Sequence, residues 1–321
     1  MADQTPRAIT LILIAMAAIS VNDAMIKLLS GDYPLHQMVL TRSVIALALV
    51  SVFLMFEGGP RLLRTDQPIL HAIRALCIVA ANMTYFAALA VMPLGVATAL
   101  FFVAPFFITL LAVPLLGEKV GMHRIGALIV GFAGVAVIIL PDSEWVDVPT
   151  LALFLPMIAA AFYAATNVMT RKLGAKASAA AMAFYIQSAF ICVSVLFFVS
   201  VGDGRFEPLV ENESLKFLLR PWVWPEPADY WKFGLLGLML GIAAYGISSA
   251  YKLGEVSTVA SYEYVALPLA ILWGWLLFGE RPGWVMVLGT ALIAGAGLYV
   301  FARERGRTGD GPASRIPMRR G

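Results

Sequence analysis

Charge is what this chain has least of. Asp, Glu, Lys and Arg make up 13% of its 321 residues, about half the share of a soluble domain, and they collect between long apolar runs. Histidine is nearly missing: His36, His71 and His123 are the only three, scattered over loops and span ends. The two cysteines, Cys77 and Cys192, lie inside apolar spans and read as packing residues, so neither a disulfide framework nor a metal cluster is expected. No GxxxxGK[ST] and no HExxH occurs, which argues against ATP-driven pumping by this chain and against a zinc hydrolase. An embedded enzyme needs a cluster of acid, base or metal groups, and the spans offer only Asp23, Arg42 and Glu263. No enzymatic activity, cofactor or nucleic-acid partner is expected.

What is there is hydrophobic. Apolar residues reach 60% and the mean hydropathy is +0.84. The stretch 95–116 holds no ionisable group and is long enough to cross a hydrocarbon core of about 30 Å. Ten such spans are predicted, near 8–29, 35–56, 70–91, 94–116, 121–140, 150–170, 178–201, 231–251, 256–278 and 283–302. With the amino terminus on the cytoplasmic side, sixteen of the 23 Lys and Arg residues fall on that side, as the positive-inside rule requires. An even number of spans returns the basic carboxyl terminus there too. The segment 303–321, rich in Arg, Gly and Pro, is expected to be a disordered cytoplasmic tail. The one long connection, 202–230, falls outside; its Trp222, Trp224 and the nearby Trp231 fit an interfacial aromatic belt better than a substrate lid.

The chain repeats itself. Sliding 94–140 forward by 162 residues superimposes Val103 on Val265, Ala104 on Ala266, Leu110 on Leu272, Gly117 on Gly279 and Glu118 on Glu280. A shift of 145 places Asn22 on Asn167, Lys27 on Lys172 and Ser43 on Ser188. The predicted architecture is therefore an all-α membrane protein of two five-helix repeats, 8–140 and 150–302. Because five is odd, the second repeat is inverted in the membrane, the arrangement of many secondary transporters. Two equivalent halves can trade one asymmetric packing for its mirror alternative, which is the physical basis of alternating access.

Five plus five spans, with a proline in the fourth and the ninth (Pro105, Pro268) and a Gly-Glu-Lys/Arg corner after each, resemble the drug/metabolite transporter superfamily, EamA type. The segment Asn22-Asp23-Ala24-Met25-Ile26-Lys27 and Arg42 resemble the branch containing S-adenosylmethionine and riboflavin importers. The resemblance covers about residues 8–302. It implies transport of a small polar metabolite across the cytoplasmic (inner) membrane and leaves the solute open. The alternative is a scaffold or channel subunit, and the spans lack the continuous polar stripe that a channel needs.

Ionisable groups at membrane depth are costly and mark candidate sites. Asp23 and Arg42 lie at similar depths on antiparallel neighbours and are expected to form an ion pair, either structural or holding a charged solute; the bland reading of Arg42 is that it snorkels. Glu263, flanked by Tyr262 and Tyr264, faces Phe101 in the repeat comparison. It is the candidate for proton coupling or a cationic solute, unless it pairs with Lys252. Tyr262 and Tyr264 leave different faces of a helix. Asn82, Tyr85, Asn167, Gln187, Tyr245 and Trp273 are neutral groups able to line a cavity or to bond a neighbouring helix. Pro105 and Pro268 are expected to bend their helices as symmetric hinges. Glu118 and Glu280 recur and read as structural corner residues, and Arg74 is expected to snorkel at the inner mouth. The small-residue spacings Ala127/Gly131 and Ala291/Gly295 fit close helix contact within or between protomers, so a homodimer is compatible with them.

Overall fold

Backbone amides in a bilayer must be satisfied within the segment that carries them, so long apolar stretches become helices. The computed structural model describes residues 5–116, 122–139, 150–173, 178–253 and 262–308, with Val148 and Val259. Its helices are α1 (Thr5–Leu29), α2 (Leu35–Glu57), α3 (Pro68–Leu89), α4 (Leu94–Phe101), α5 (Ala104–Leu116), α6 (Met122–Ile139), α7 (Leu155–Leu173), α8 (Ala179–Val201), α9 (Glu213–Leu219), α10 (Tyr230–Leu253), α11 (Ala266–Phe278) and α12 (Trp284–Thr308). Among the described residues seven helical stretches are long and apolar enough to span a membrane, α4 and α5 together counting as one, and three apolar helices are shorter. The fold is all-α, and the chain is a multi-pass membrane protein.

Local chemistry sets the helix ends. Pro68 opens α3 at a position where a missing N–H costs nothing. Ser178 caps α8 by accepting from the Ala181 amide at 3.0 Å. Gly279 ends α11 in the left-handed region at φ 66°, and the amide of Glu280 turns back to the Gly274 carbonyl at 3.0 Å. The last helix runs to Thr308, so the chain stays helical into the segment expected to be a tail. Residues 309–321 lie outside the described residues.

Packing follows a two-fold pattern. Helix α1 lies along α10 as α7 lies along α3; α2 pairs with α8, and α6 with α12. Each pairing joins the first repeat to the second. The α6–α12 contact is close because Gly134 and Gly289 face each other: a Cβ on either would come 2.8 Å from the other's carbonyl oxygen. Gly131 receives the Phe106 ring, and nothing lies within 4 Å of a Cβ at Gly295. The Gly131 contact therefore lies within the chain. Outward-facing Val52, Ile129, Leu196 and Val199 are exposed, as a lipid-facing surface requires.

Both prolines sit where helices restart. The fourth span breaks at Phe102–Val103 between α4 and α5, and the ninth turns at Tyr264–Val265 before α11. These breaks superimpose under the same 162-residue shift. Pro105 and Pro268 lie in the first turns of the restarted helices, where a missing amide is tolerated. The expected mid-helix bends are thus interruptions just before each proline. The two breaks also touch: the Phe102 and Tyr264 rings, repeat equivalents, lie 5.1 Å apart between centroids.

Candidate functional site

Arg42 is the organising side chain. It projects from α2 and is 1% exposed, so it does not snorkel. Its Nη1 donates to Asn22 Oδ1 on α1 at 2.7 Å, and its Nη2 donates to Asn82 Oδ1 on α3. Asn22 is held in turn by donating to the Leu236 carbonyl of α10 at 3.1 Å. The guanidinium lies between two rings, 5.0 Å from the centroid of Phe86 and 5.7 Å from that of Phe190, where ring quadrupoles attract a cation. Its Nε has no hydrogen-bond partner among the described residues.

The expected direct Asp23–Arg42 ion pair is absent among the described residues; two amide oxygens occupy the terminal nitrogens instead. Asp23 stays within electrostatic reach of Arg42 and beside the Tyr85 hydroxyl. Tyr85 shares a hydrogen bond with Thr98 Oγ1 at 3.0 Å. Arg42, Asn22, Asn82, Asp23 and Tyr85 therefore form one group drawn from α1, α2 and α3, with Thr98 of α4 at its edge. Asn22 was not among the sequence candidates. Its signal was its place next to Asp23, masked by its recurrence as Asn167, which reads as a fold residue.

A second group gathers at the helix breaks. Glu263 lies just before the second break, within electrostatic reach of Tyr163 on α7 and of Tyr264. Tyr163 is another residue that sequence reasoning passed over. Asn167 donates to the Tyr163 carbonyl one turn earlier at 2.9 Å. The Tyr264 hydroxyl fits a notch that α12 opens at Gly297, where a Cβ would collide with it. Rings link the two groups: Tyr85 meets Phe101 at 5.3 Å, and Phe101 meets Tyr163 at 5.3 Å. Tyr262 is partly buried against the core. Lys252, weighed as a partner for Glu263, has a side chain outside the described residues.

The remaining candidates disperse. Gln187 is buried on α8 with Oε1 unpartnered among the described residues. Trp273 Nε1 donates to Ser20 Oγ at 3.1 Å and ties α11 to α1. Tyr245 stacks on Phe53 with centroids 4.0 Å apart. Arg74, expected to snorkel, is 4% exposed instead, and His36 and His71 lie at the span ends, in the first turns of α2 and α3, where both are buried.

One end of the bundle is latched across the repeats. Lys27 Nζ contacts Glu280 Oε1 at 2.5 Å and donates to the Met92 carbonyl at 2.6 Å. Glu280 Oε2 accepts from the Leu94 amide at 3.0 Å. Glu280 thus does more than end a helix, while Glu118 lies outside the described residues. At the same end, the 202–229 connection folds back on α2 and on the turn that joins it to α1. Gln37 exchanges two hydrogen bonds with the backbone of Val223, and Tyr33 donates to Asp229 Oδ2 at 2.6 Å. Trp224 and Trp231 are exposed as a belt requires, whereas Trp222 packs on Phe198 and His36.

Comparison with known proteins agrees with this architecture. A solved crystal structure shares the fold, with a TM-score of 0.64 at 21% identity over 94% of this chain and 99% of the other. A riboflavin transporter of Rhizobium johnstonii is 30% identical over 78% of this chain and 75% of its own. An S-adenosylmethionine uptake transporter of Rickettsia prowazekii is 24% identical over 91% and 92%. The EamA-like transporter family matches residues 6–140 and 150–302, nearly all of the membrane-embedded chain. Two repeats of one family, packed two-fold around a buried polar centre, make this chain a member of the EamA-like transporter family.

Proposed function

We propose that this chain carries a small polar metabolite with a flat ring across the cytoplasmic membrane by alternating access. The observation that carries the reading is the buried Arg42, held by Asn22 and Asn82 and flanked by Phe86 and Phe190. Two amides and two rings pre-orient a guanidinium whose buried Nε has no partner among the described residues. Such a group binds a polar edge, while the ring series from Tyr85 through Phe101 to Tyr163 supplies stacking faces. Riboflavin and S-adenosylmethionine, the solutes of the relatives, both combine a flat heteroaromatic ring with hydrogen-bonding groups, and they define the solute class tested first.

The three shorter apolar helices complete ten spans in this reading, with both termini cytoplasmic. Lys27 and Glu280 then hold the outer end closed, and the paired breaks at Phe102 and Tyr264 act as the pivots. Glu263, beside Tyr163 and Tyr264, is the carboxyl assigned to proton coupling. The test is uptake of radiolabelled riboflavin and S-adenosylmethionine into liposomes holding the purified chain, with and without an imposed proton gradient. Saturable uptake of either solute, lost in Arg42→Met, supports the assignment. Uptake of neither, together with no melting shift in either, removes this solute class.

A further inference from the structure

Among the described residues Arg74 is the other buried guanidinium, and its surroundings differ from those of Arg42. Arg42 has the carboxyl of Asp23 within electrostatic reach. Arg74 has no acidic hydrogen-bond or ion-pair partner among the described residues. Its terminal nitrogens donate to Thr170 Oγ1 of α7 at 3.3 Å and to the Met182 carbonyl of α8 at 3.1 Å. Its Nε has no partner, and one turn earlier His71, also 4% exposed, has an unpartnered Nδ1. The His71 ring is held against Tyr185 at 4.8 Å between centroids. Two buried donor-bearing side chains one helical turn apart on α3 thus lack an acidic partner among the described residues. A buried cation without a counter-charge is costly at membrane depth.

The place is also on a route. Tyr85 follows Arg74 by eleven residues on α3, which at 100° per residue is about 20° past three full turns, so both leave the same face about 16 Å apart. Helix α3 packs against α7, and at Arg74 it meets Thr166 and Thr170. On α7, Thr170, Thr166 and Tyr163 succeed one another at helical spacing along one face and run from Arg74 to the neighbourhood of Glu263.

We infer that Arg74, with His71, is an oxyanion-binding station for a carboxylate or phosphate, at the end of the polar line that leads to the Arg42 group. This rests on the transport reading and narrows it, because a solute served by both arginines carries an anionic group as well as a ring. The same chemistry could come from a lipid phosphate, and the test separates the two sources.

The full-length chain is melted in sodium chloride and in sodium phosphate of equal ionic strength, first in detergent and then in vesicles of phosphatidylcholine with or without phosphatidylglycerol. Phosphate is expected to raise the wild-type melting temperature by about 3 °C at ten times its dissociation constant. Arg74→Gln is expected to lose that gain. Arg74→Lys, which keeps the charge and guards against a folding failure of the Gln variant, is expected to retain part of it. A gain independent of the lipid assigns a soluble oxyanion. An Arg74-dependent gain produced by phosphatidylglycerol alone assigns a headgroup. No Arg74-dependent gain from either phosphate or phosphatidylglycerol, or a gain that survives Arg74→Gln, overturns the station and leaves Arg74 as a brace between α3, α7 and α8. If the Arg74-dependent gain appears while Arg42→Met binds riboflavin and S-adenosylmethionine as the wild type does, the Arg42 reading fails and the station stands.

Discussion

Replacing Arg42 by Met separates a binding role from a structural one, because the two make opposite demands on stability. Met matches the length of the aliphatic stem and fills irregular space. The change removes two charge-assisted hydrogen bonds and leaves the carbonyl oxygens of Asn22 and Asn82 without their donors. Each orphaned oxygen costs about 1–3 kcal/mol. Against that, a guanidinium 1% exposed no longer has to be held out of water, which relieves several kcal/mol. The two contributions nearly offset, so the melting temperature is expected to move little. Binding has no such compensation. A hydrogen bond from a charged donor contributes about 1.5–3 kcal/mol, which at about 1.4 kcal/mol per decade predicts affinity weakened about 10- to 150-fold. The assay is equilibrium binding of labelled riboflavin and S-adenosylmethionine to purified wild type and variant, with melting curves on the same samples. A variant that binds within about twofold of wild type refutes the role of Arg42 in the site. A melting temperature that collapses while the surviving fraction binds normally shows that the group is only structural.

Further expectations follow from other contacts. Glu263→Gln should abolish uptake driven by a proton gradient while preserving exchange of labelled for unlabelled solute; equal loss of both would remove Glu263 from coupling. Lys27→Glu and Glu280→Lys should each impair transport, and the double exchange should restore part of it, because the 2.5 Å pair joins the two repeats; a double variant no better than the worse single one would deny the latch. Gly134→Ala should lower stability by about 1–3 kcal/mol through overpacking, since the new Cβ would meet the Gly289 carbonyl at 2.8 Å. Gly126→Ala, with nothing within 4 Å, should melt like wild type, and similar curves for both variants would contradict the helix contact. Asn22→Ala and Asn82→Ala should each weaken solute binding severalfold by freeing one arm of Arg42, read by the same binding assay.

Hydropathy and repetition were enough to read an all-helical membrane protein of two related repeats, because the bilayer leaves an apolar segment few alternatives to a helix and because a shift of 162 residues is visible in the letters alone. They also marked Asp23, Arg42 and Glu263, since ionisable groups stand out against an apolar background. What they left undecided was partnership. Asp23 and Arg42 are close along the bundle, yet the guanidinium takes the amides of Asn22 and Asn82, whose carbonyl oxygens lie where its planar fork can reach them. Tyr163 joined the site only when α7 packed beside the second helix break. Arg74 looked able to snorkel until α7 and α8 enclosed it. The prolines announced interruptions, but the contact between Phe102 and Tyr264 exists only in the assembled bundle. Sequence determined that the chain crosses the membrane many times and which residues are expensive there. Tertiary packing decided which of those residues meet, because side chains distant along the chain become neighbours only once the two repeats enclose a common centre.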